Sequence, residues 1–533
     1  MSYRSALHSC RVPRILAILW LVLLAAPAQA TDRAAVWHRG IHLADIEVSG
    51  APRMLEEVGV RVDRPGTFLV TFDGQCLSYP DDPIHVLLVS NRDQTLGESR
   101  RQIQAIDGDV PRGHFSATLH RAVDPGHFTF QAYAQIPGGA TGPGRIWLKA
   151  NLTVRFFPDE PGMPVVQVTP VDMRGRDLRG GVKVLQTQRL ESSTQEGHAL
   201  ALFEGWAVSS PGDLIVLAVN RVPDWEPNEG TVSVAAPNEA VDRMAFAHAR
   251  VWPTWGDELR IHAVAENWVQ TDGTGWAEVY GDLITVDYPT TPGGVGFAAT
   301  GFHGSFALDD GPVSMAHVEF EASERGRAVV RYVGSVATDP GDRAVIAVNP
   351  EVHWALFEGN VMVEAYDHRR DSDNVVHTQV YDVEAGSHTF HVVGERIAEL
   401  EGSGKAFARG TLMVEFFPGG WDPVSIAGEG NDAPETAPRP RPALALGAWP
   451  NPFNPSTQLE FSLPAASTVT LTVHDLRGRR VRTLVAGAEH ARGDHVIAWD
   501  GRDDAGAPVA SGVYLARLKA GVRTASARLT LVE

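Results

Sequence analysis

The sequence predicts an all-β chain made of three homologous antiparallel β-sandwich repeats and a fourth, smaller carboxy-terminal sandwich. Three observations carry this reading. A strand–turn–strand block recurs and closes on Asn91, Asn220 and Asn349, so successive copies lie 129 residues apart. A second landmark, Gly126, Gly256 and Gly386, recurs every 130 residues. Both periods are domain-sized, well above the roughly 20–45 residues of a solenoid unit. Finally, 52 Gly and 35 Pro in 533 residues supply turns for many short strands, and helical periodicity is nearly absent.

Residues 1–30 read as a secretory signal. Arg4, Arg11 and Arg14 precede an apolar run from Ile15 to Ala26, and Ala28-Gln29-Ala30 form a small-residue cleavage site. The run is shorter than the ~20 residues a spanning helix needs, and no later stretch predicts a membrane span. Removing three positive charges takes the net charge from −19 to −22. Such a chain repels nucleic acid and anionic lipid, so neither is an expected partner. Cys76 is then the only cysteine, which excludes an intrachain disulfide and fits a small buried hydrophobe.

The repeats are expected over 31–165, 166–292 and 293–418. In each opening strand alternate residues share a face: Phe68, Val70 and Phe72; Ala199, Ala201 and Phe203; Ala328, Val330 and Tyr332. That face is the expected core, in a half-buried sheet. Phe115–His120, the turn at Asp124-Pro125-Gly126 and Phe128–Ala132 predict a hairpin. Each repeat closes on a strand ended by Pro158, Pro289 or Pro418, since proline cannot donate to a ladder. Segments 174–181 and 290–294, rich in Gly or Pro, are expected connectors. The spacing of strand, turn and Gly-rich hairpin is loosely similar to the jelly roll of complement-globular-head and tumour-necrosis-factor-like proteins. That family commonly trimerises, so the repeats have two arrangements open to them: beads on a string, or an internal pseudo-trimer.

Residues 419–445, with Pro434, Pro438, Pro440 and Pro442, form an extended linker. The domain at 446–533 opens on Pro450-Asn451-Pro452-Phe453-Asn454-Pro455 and continues through Val469–Asp475 and Arg477-Gly478-Arg479. Trp499-Asp500-Gly501 and Ser511-Gly512-Val513-Tyr514 follow. This resembles the Ig-like domain of flagellar hook-capping proteins and the related sorting domains of type IX secretion. The resemblance implies an Ig-like β-sandwich, read by an outer-membrane export machine or serving as a cap. The chain ends in Leu529–Glu533 without the basic residues frequent in sorting domains.

No motif for a catalytic site, cofactor or metal is found. His388 and His391 stand three apart in a predicted strand and point to opposite faces. Asp371-Ser372-Asp373-Asn374 starts like a calcium loop but lacks its glycine and closing glutamate, and reads as a solvated loop. Asp500, Asp503 and Asp504 read as loop residues. Six of the 13 tryptophans fall in repeat 2, and Trp225, Trp252 and Trp255 are expected in loops where indoles offer a platform for sugars; gap-filling between sandwiches is the other reading. The chain is therefore expected to be a secreted or outer-surface, non-enzymatic adhesion or scaffold protein, partnered by export machinery through 446–533. The alternatives are a carbohydrate-binding protein using the repeat 2 tryptophans or, less favoured, an extracellular polymer-degrading enzyme.

Overall fold

The computed structural model describes residues 33–419 and 445–531 except 49, 79–83, 91–98, 104–111, 137–143, 192–195, 211–212, 225–231, 236–241, 257, 270–274, 309–310, 340–341, 354–359, 365–370, 397–403, 450–452, 454–455, 464–466, 476, 491–492 and 522. The leader expected at 1–30, nearly all of the linker expected at 419–445 and Trp225 lie outside the described residues. The described residues form 31 strands and no helix.

The first repeat comprises β1 (Ala35–Glu47), β2 (Arg53–Val62), β3 (Gly66–Ser78), β4 (Ile84–Ser90), β5 (Ser99–Ile103), β6 (Arg112–Val123), β7 (Gly126–Gln135) and β8 (Arg145–Pro158). The second comprises β9 (Val165–Asp177), β10 (Lys183–Glu191), β11 (Gly197–Ser209), β12 (Asp213–Asn220), β13 (Val232–Ala235), β14 (Asp242–Thr254), β15 (Glu258–Val269) and β16 (Trp276–Pro289). The third comprises β17 (Gly296–Ala307), β18 (Val313–Ala322), β19 (Gly326–Thr338), β20 (Arg343–Asn349), β21 (Asn360–Glu364), β22 (Asp371–Val383), β23 (Gly386–Arg396) and β24 (Lys405–Pro418).

All three share one topology. The first, eighth, third and sixth strands make an inner sheet, as in β1-β8-β3-β6. The second, seventh, fourth and fifth make an outer sheet, as in β2-β7-β4-β5. This is jelly-roll connectivity. It corrects the hairpin expected around Gly126: β6 pairs with β3 while β7 pairs with β2 and β4, so the tight turn carries the chain from one sheet to the other. Turn chemistry reports a reversal and not which sheet receives the next strand. The connector expected at 174–181 is also displaced, because Arg174–Arg176 continue β9. The link between repeats 1 and 2 is the short turn after Pro158, where Met163 N donates to Glu160 O.

Each sandwich has its own core. Phe68, Val70 and Phe72 are fully buried, as are Ala328, Val330 and Tyr332 in repeat 3. Two devices repeat in all three copies. A β-bulge breaks the second strand at Met54/Glu56, Val184/Gln186 and Ser314/Ala316, turning Leu55, Leu185 and Met315 onto the cores. The third strand carries Gly74, Gly205 and Gly334, opposite Ala150, Gly281 and Gly410 of the eighth. A Cβ on these glycines would lie 2.2, 1.9 and 2.2 Å from the carbonyl oxygens of Lys149, Tyr280 and Arg409.

The other face of the inner sheet departs from the half-buried expectation. Leu69 and Phe157 of repeat 1, Leu200, Val286 and Tyr288 of repeat 2, and Val329, Met413 and Phe417 of repeat 3 belong to one shared buried cluster. The repeats are thus packed together and not strung as separate beads. Phe157 and Phe417, which hold the same place in their repeats, stack with centroids 5.9 Å apart.

The carboxy-terminal domain pairs β25 (Ala445–Trp449), β26 (Thr457–Leu463) and β29 (Gly493–Trp499) in one sheet. β28 (Arg480–His490), β27 (Ser467–Asp475), β30 (Gly512–Ala520) and β31 (Arg523–Leu531) form the other. Trp499 is buried between Phe453 and Tyr514, with centroids 5.4 and 5.3 Å away, and its Nε1 donates to the Arg502 carbonyl at 2.9 Å.

Replacing Gly205 by Ala sets a methyl group against a backbone carbonyl that cannot rotate away. The expected cost is about 1–3 kcal/mol, read as a lower urea midpoint; an unchanged midpoint would show that the strands separate freely there.

Candidate functional site

The inner sheets bring together a set of buried polar side chains that the alternation pattern places on a wet surface. Two triads each draw one residue from every repeat. In the first, Ser116 Oγ donates to Glu204 Oε2 at 2.6 Å and accepts from Arg331 Nη2 at 2.9 Å. Arg331 and Glu204 are themselves 3.7 Å apart and almost wholly buried. In the second, Glu415 accepts from Arg155 Nη1 at 2.7 Å and from the Tyr288 hydroxyl. Arg155 and Glu415 occupy the same place in repeats 1 and 3, where repeat 2 has Val286. A third link runs from Thr378 Oγ1 to Asp73 Oδ1 at 2.9 Å.

Electrostatics follow from burial. Desolvation pushes the Asp73 carboxyl up to about 6, against the opposing pull of Arg331 and the Thr378 hydroxyl. Burial, then the Glu415 charge, pushes the Tyr288 hydroxyl well above its ordinary value. His248 is pushed down to about 3 by burial, then by Arg250 and Arg409. Its Nδ1 accepts the Val219 N–H at 3.0 Å, as a neutral ring must. Burial raises the Cys76 thiol, consistent with a packing role.

The tryptophans do not converge in the described residues. Trp252 leans on the repeat 2 core with the Arg250 guanidinium 5.3 Å from its ring centre. Trp255, in the turn between β14 and β15, is 65% exposed. Trp206 stacks on Tyr280 at 4.2 Å. Asp371–Asn374 start strand β22, which corrects the loop reading; Asn374 Nδ2 donates to Ala245 O of repeat 2 at 3.5 Å. Acidic side chains at Asp500, Asp503 and Asp504 hold loop backbone: Asp503 Oδ1 accepts from Ala505 N and Ala507 N, both at 2.9 Å, and Asp504 Oδ1 from Thr483 N at 2.8 Å.

In the carboxy-terminal domain an open depression of about 550 Å³ is lined by His474, Asp475, Leu515, Arg517 and Ser526. Asp475 is committed to its own turn, accepting from Arg477 N at 3.0 Å and Arg479 N at 2.9 Å. His474 Nε2 lies 3.0 Å from Thr472 Oγ1, and its Nδ1 lies 3.3 Å from the Gly478 carbonyl oxygen.

Residues 453–523 match the FlgD Ig-like domain. The matched stretch covers most of the β-sandwich just described, and Phe453 and Trp499 lie in its core. No curated protein matches the chain. Among solved structures, PorZ, a surface component of the type-IX secretion system of Porphyromonas gingivalis, is 20% identical over 16% of this chain, with a TM-score of 0.13. This chain spans only 11% of PorZ. Dimeric latent PorU from Porphyromonas gingivalis is 7% identical, covering 95% of this chain and 87% of its own, with a TM-score of 0.18. The stem and receptor-binding domain of spike protein P1 from bacteriophage PM2 is 10% identical, covering 48% and 97%, with a TM-score of 0.13. At these TM-scores none of the three transfers a function to this chain.

Asp73 supplies a pH test. Its folded value of about 6 lies above its ordinary 3.8. The folded state therefore holds the proton more tightly, and the resulting stability, full below about 3.8, is lost as pH rises through about 6. Asp73→Asn cannot ionise and keeps an acceptor for Thr378. It is expected to stabilise the protein at pH 8 by on the order of 2 kcal/mol and to flatten the dependence between pH 4 and 6, measured by urea unfolding. Equal destabilisation at both ends of the range would mean that Asp73 is ionised and paired with Arg331.

Proposed function

We propose that this chain is an exported, non-enzymatic scaffold or adhesion protein of the bacterial surface or medium. Its three repeats form one internal pseudo-trimer, and its carboxy-terminal domain is the part an outer-membrane export machine reads. The observation that carries the export reading is the FlgD Ig-like match at 453–523, a domain that folds around its own Phe453–Trp499 core. The amino-terminal pattern of arginines, apolar run and Ala-Gln-Ala supports the same destination. Among the described residues no helix is long and apolar enough to cross a membrane.

The pseudo-trimer reading rests on contacts between residues in equivalent places. Arg155 meets Glu415, and Phe157 meets Phe417. A position that touches its own counterpart lies near an axis relating the two copies, and Tyr288, one residue before Pro289 as Phe157 is before Pro158, completes the set from repeat 2. Three sandwiches locked this way make a stiff body suited to display or spacing.

Deleting residues 446–533 tests the export role. The truncated chain is expected to stay within the cell envelope, followed by fractionation and immunoblotting, while export at the full-length level would sink the reading. A second reading, glycan binding, is favoured by one observation: the exposed indole of Trp255 at the edge of repeat 2. Under that reading, titrating the chain with soluble polysaccharides gives a saturable change in tryptophan fluorescence that Trp255→Ala abolishes. No change with any polysaccharide returns Trp255 to a bystander.

A further inference from the structure

The outer sheet of repeat 3 carries a histidine pair that the sequence does not reveal. His391 on β23 faces His317 on β18 directly across the ladder, 74 residues earlier in the chain. Their ring centres are 5.9 Å apart with the planes inclined by 43°. The spacing rule that set His388 aside as a partner for His391 is sound, since the two alternate along one strand; the partner comes from the next strand instead.

The same slot exists in the other repeats and is closed there. In repeat 1 Gln131 donates to Glu57, and in repeat 2 Thr187 Oγ1 and His262 Nδ1 meet at 2.9 Å. In repeat 3, among the described residues, no hydrogen bond links the two imidazoles.

The tautomer of His391 follows from its neighbour. The β-bulge at Met315 brings Ser314 beside His391, with Ser314 Oγ 2.9 Å from His391 Nδ1. That hydroxyl also lies 3.2 Å from the Ala316 carbonyl, which can only accept. A serine hydroxyl has one proton, and with that proton on Ala316 it is His391 Nδ1 that donates to Ser314. The Nε2 lone pair of His391 is left available, and among the described residues neither it nor any His317 nitrogen has a hydrogen-bond partner. A ring held by its Nδ1–H on a neighbouring oxygen, with Nε2 unprotonated, is the usual state of a metal-ligating histidine.

We propose that His317 and His391 form a two-histidine site for a divalent transition-metal ion of the imidazole-preferring group, Cu²⁺, Zn²⁺ or Ni²⁺, with Ser314 as its positioning residue. Imidazole nitrogens bind such ions at about 2.0–2.1 Å, and two rings whose centres lie 5.9 Å apart on one sheet face are near enough to share one. Water completes the coordination, because among the described residues no group of three or more His, Cys, Asp or Glu is arranged to hold an ion. Affinity is expected to rank Cu²⁺ above Ni²⁺ and Zn²⁺.

The test is a CuCl₂ titration of the full-length chain at pH 7.5, followed by calorimetry and by the nitrogen hyperfine pattern of the copper EPR signal. His317→Ala, His317→Gln and His391→Ala are each expected to take up one equivalent fewer than the unsubstituted chain and to lose the corresponding share of the two-nitrogen signal. Ser314→Ala is expected to keep the equivalent and bind it about tenfold more weakly. Melting without metal checks the fold, and His317 lies exposed on the sheet, so the Gln variant leaves the core untouched. His490 and His495, whose rings lie 4.8 Å apart, are intact in every variant, so a lost equivalent reports on the repeat 3 pair. Equal copper stoichiometry in all the chains, or no copper bound by any of them, overturns the proposal.

Discussion

Burial of the inner sheets on both faces is the constraint on which the rest of the structure depends. An isolated jelly roll can leave its second face in water, whereas here that face is closed by two sister domains. Charges on it lose their hydration, a cost of several kcal/mol per ion unless partners replace the water. Arg155, Glu204, Arg331 and Glu415 satisfy that demand only when all three repeats are seated in one register. Removing a single partner strands a buried charge, so the triads penalise misaligned packing more than they stabilise the correct one. The apolar cluster around Tyr288 and Phe417 supplies the favourable burial.

Fusing three repeats in one chain makes this solution available. A homotrimer places three copies of one residue around its axis, and three arginines or three glutamates so placed would repel one another. Here equivalent places carry Arg155, Val286 and Glu415, so one position supplies the cation, the other its anion and the third an apolar wall. The same divergence marks the outer sheets, where one cross-strand slot reads Glu57–Gln131, Thr187–His262 and His317–His391. Core and turn positions hold the fold constant while polar positions become specific to each repeat.

The sequence made the strands, the repeat and the carboxy-terminal domain legible because each leaves a local mark. Alternation reports the inward face of β3, the prolines that close β8, β16 and β24 report strand ends, and the period reports the domain. What stayed hidden is non-local. Asp73, Glu204 and Arg331 sit where alternation predicts solvent, and only the apolar residues beside them, Leu69, Leu200 and Val329, signal that this face is covered. Sheet membership after Gly126 and the partner of His391 depend on which strands lie side by side, information that a one-dimensional pattern lacks. The tryptophans of repeat 2 were visible as a cluster in sequence, yet Trp252 turns toward the core and Trp255 away from it.

The carboxy-terminal domain shows how a motif can be legible without being the recognition surface. Phe453 and Trp499 are buried against Tyr514, and the acidic groups of Asp475 and Asp503 are occupied by backbone N–H donors of their own loops. These groups are engaged in holding the fold itself. Under the proposed export role, a receptor would engage the domain through other side chains. The exposed row on β30, where Leu515, Arg517 and Lys519 alternate with buried Ala516 and Leu518, offers such a surface beside the depression at His474.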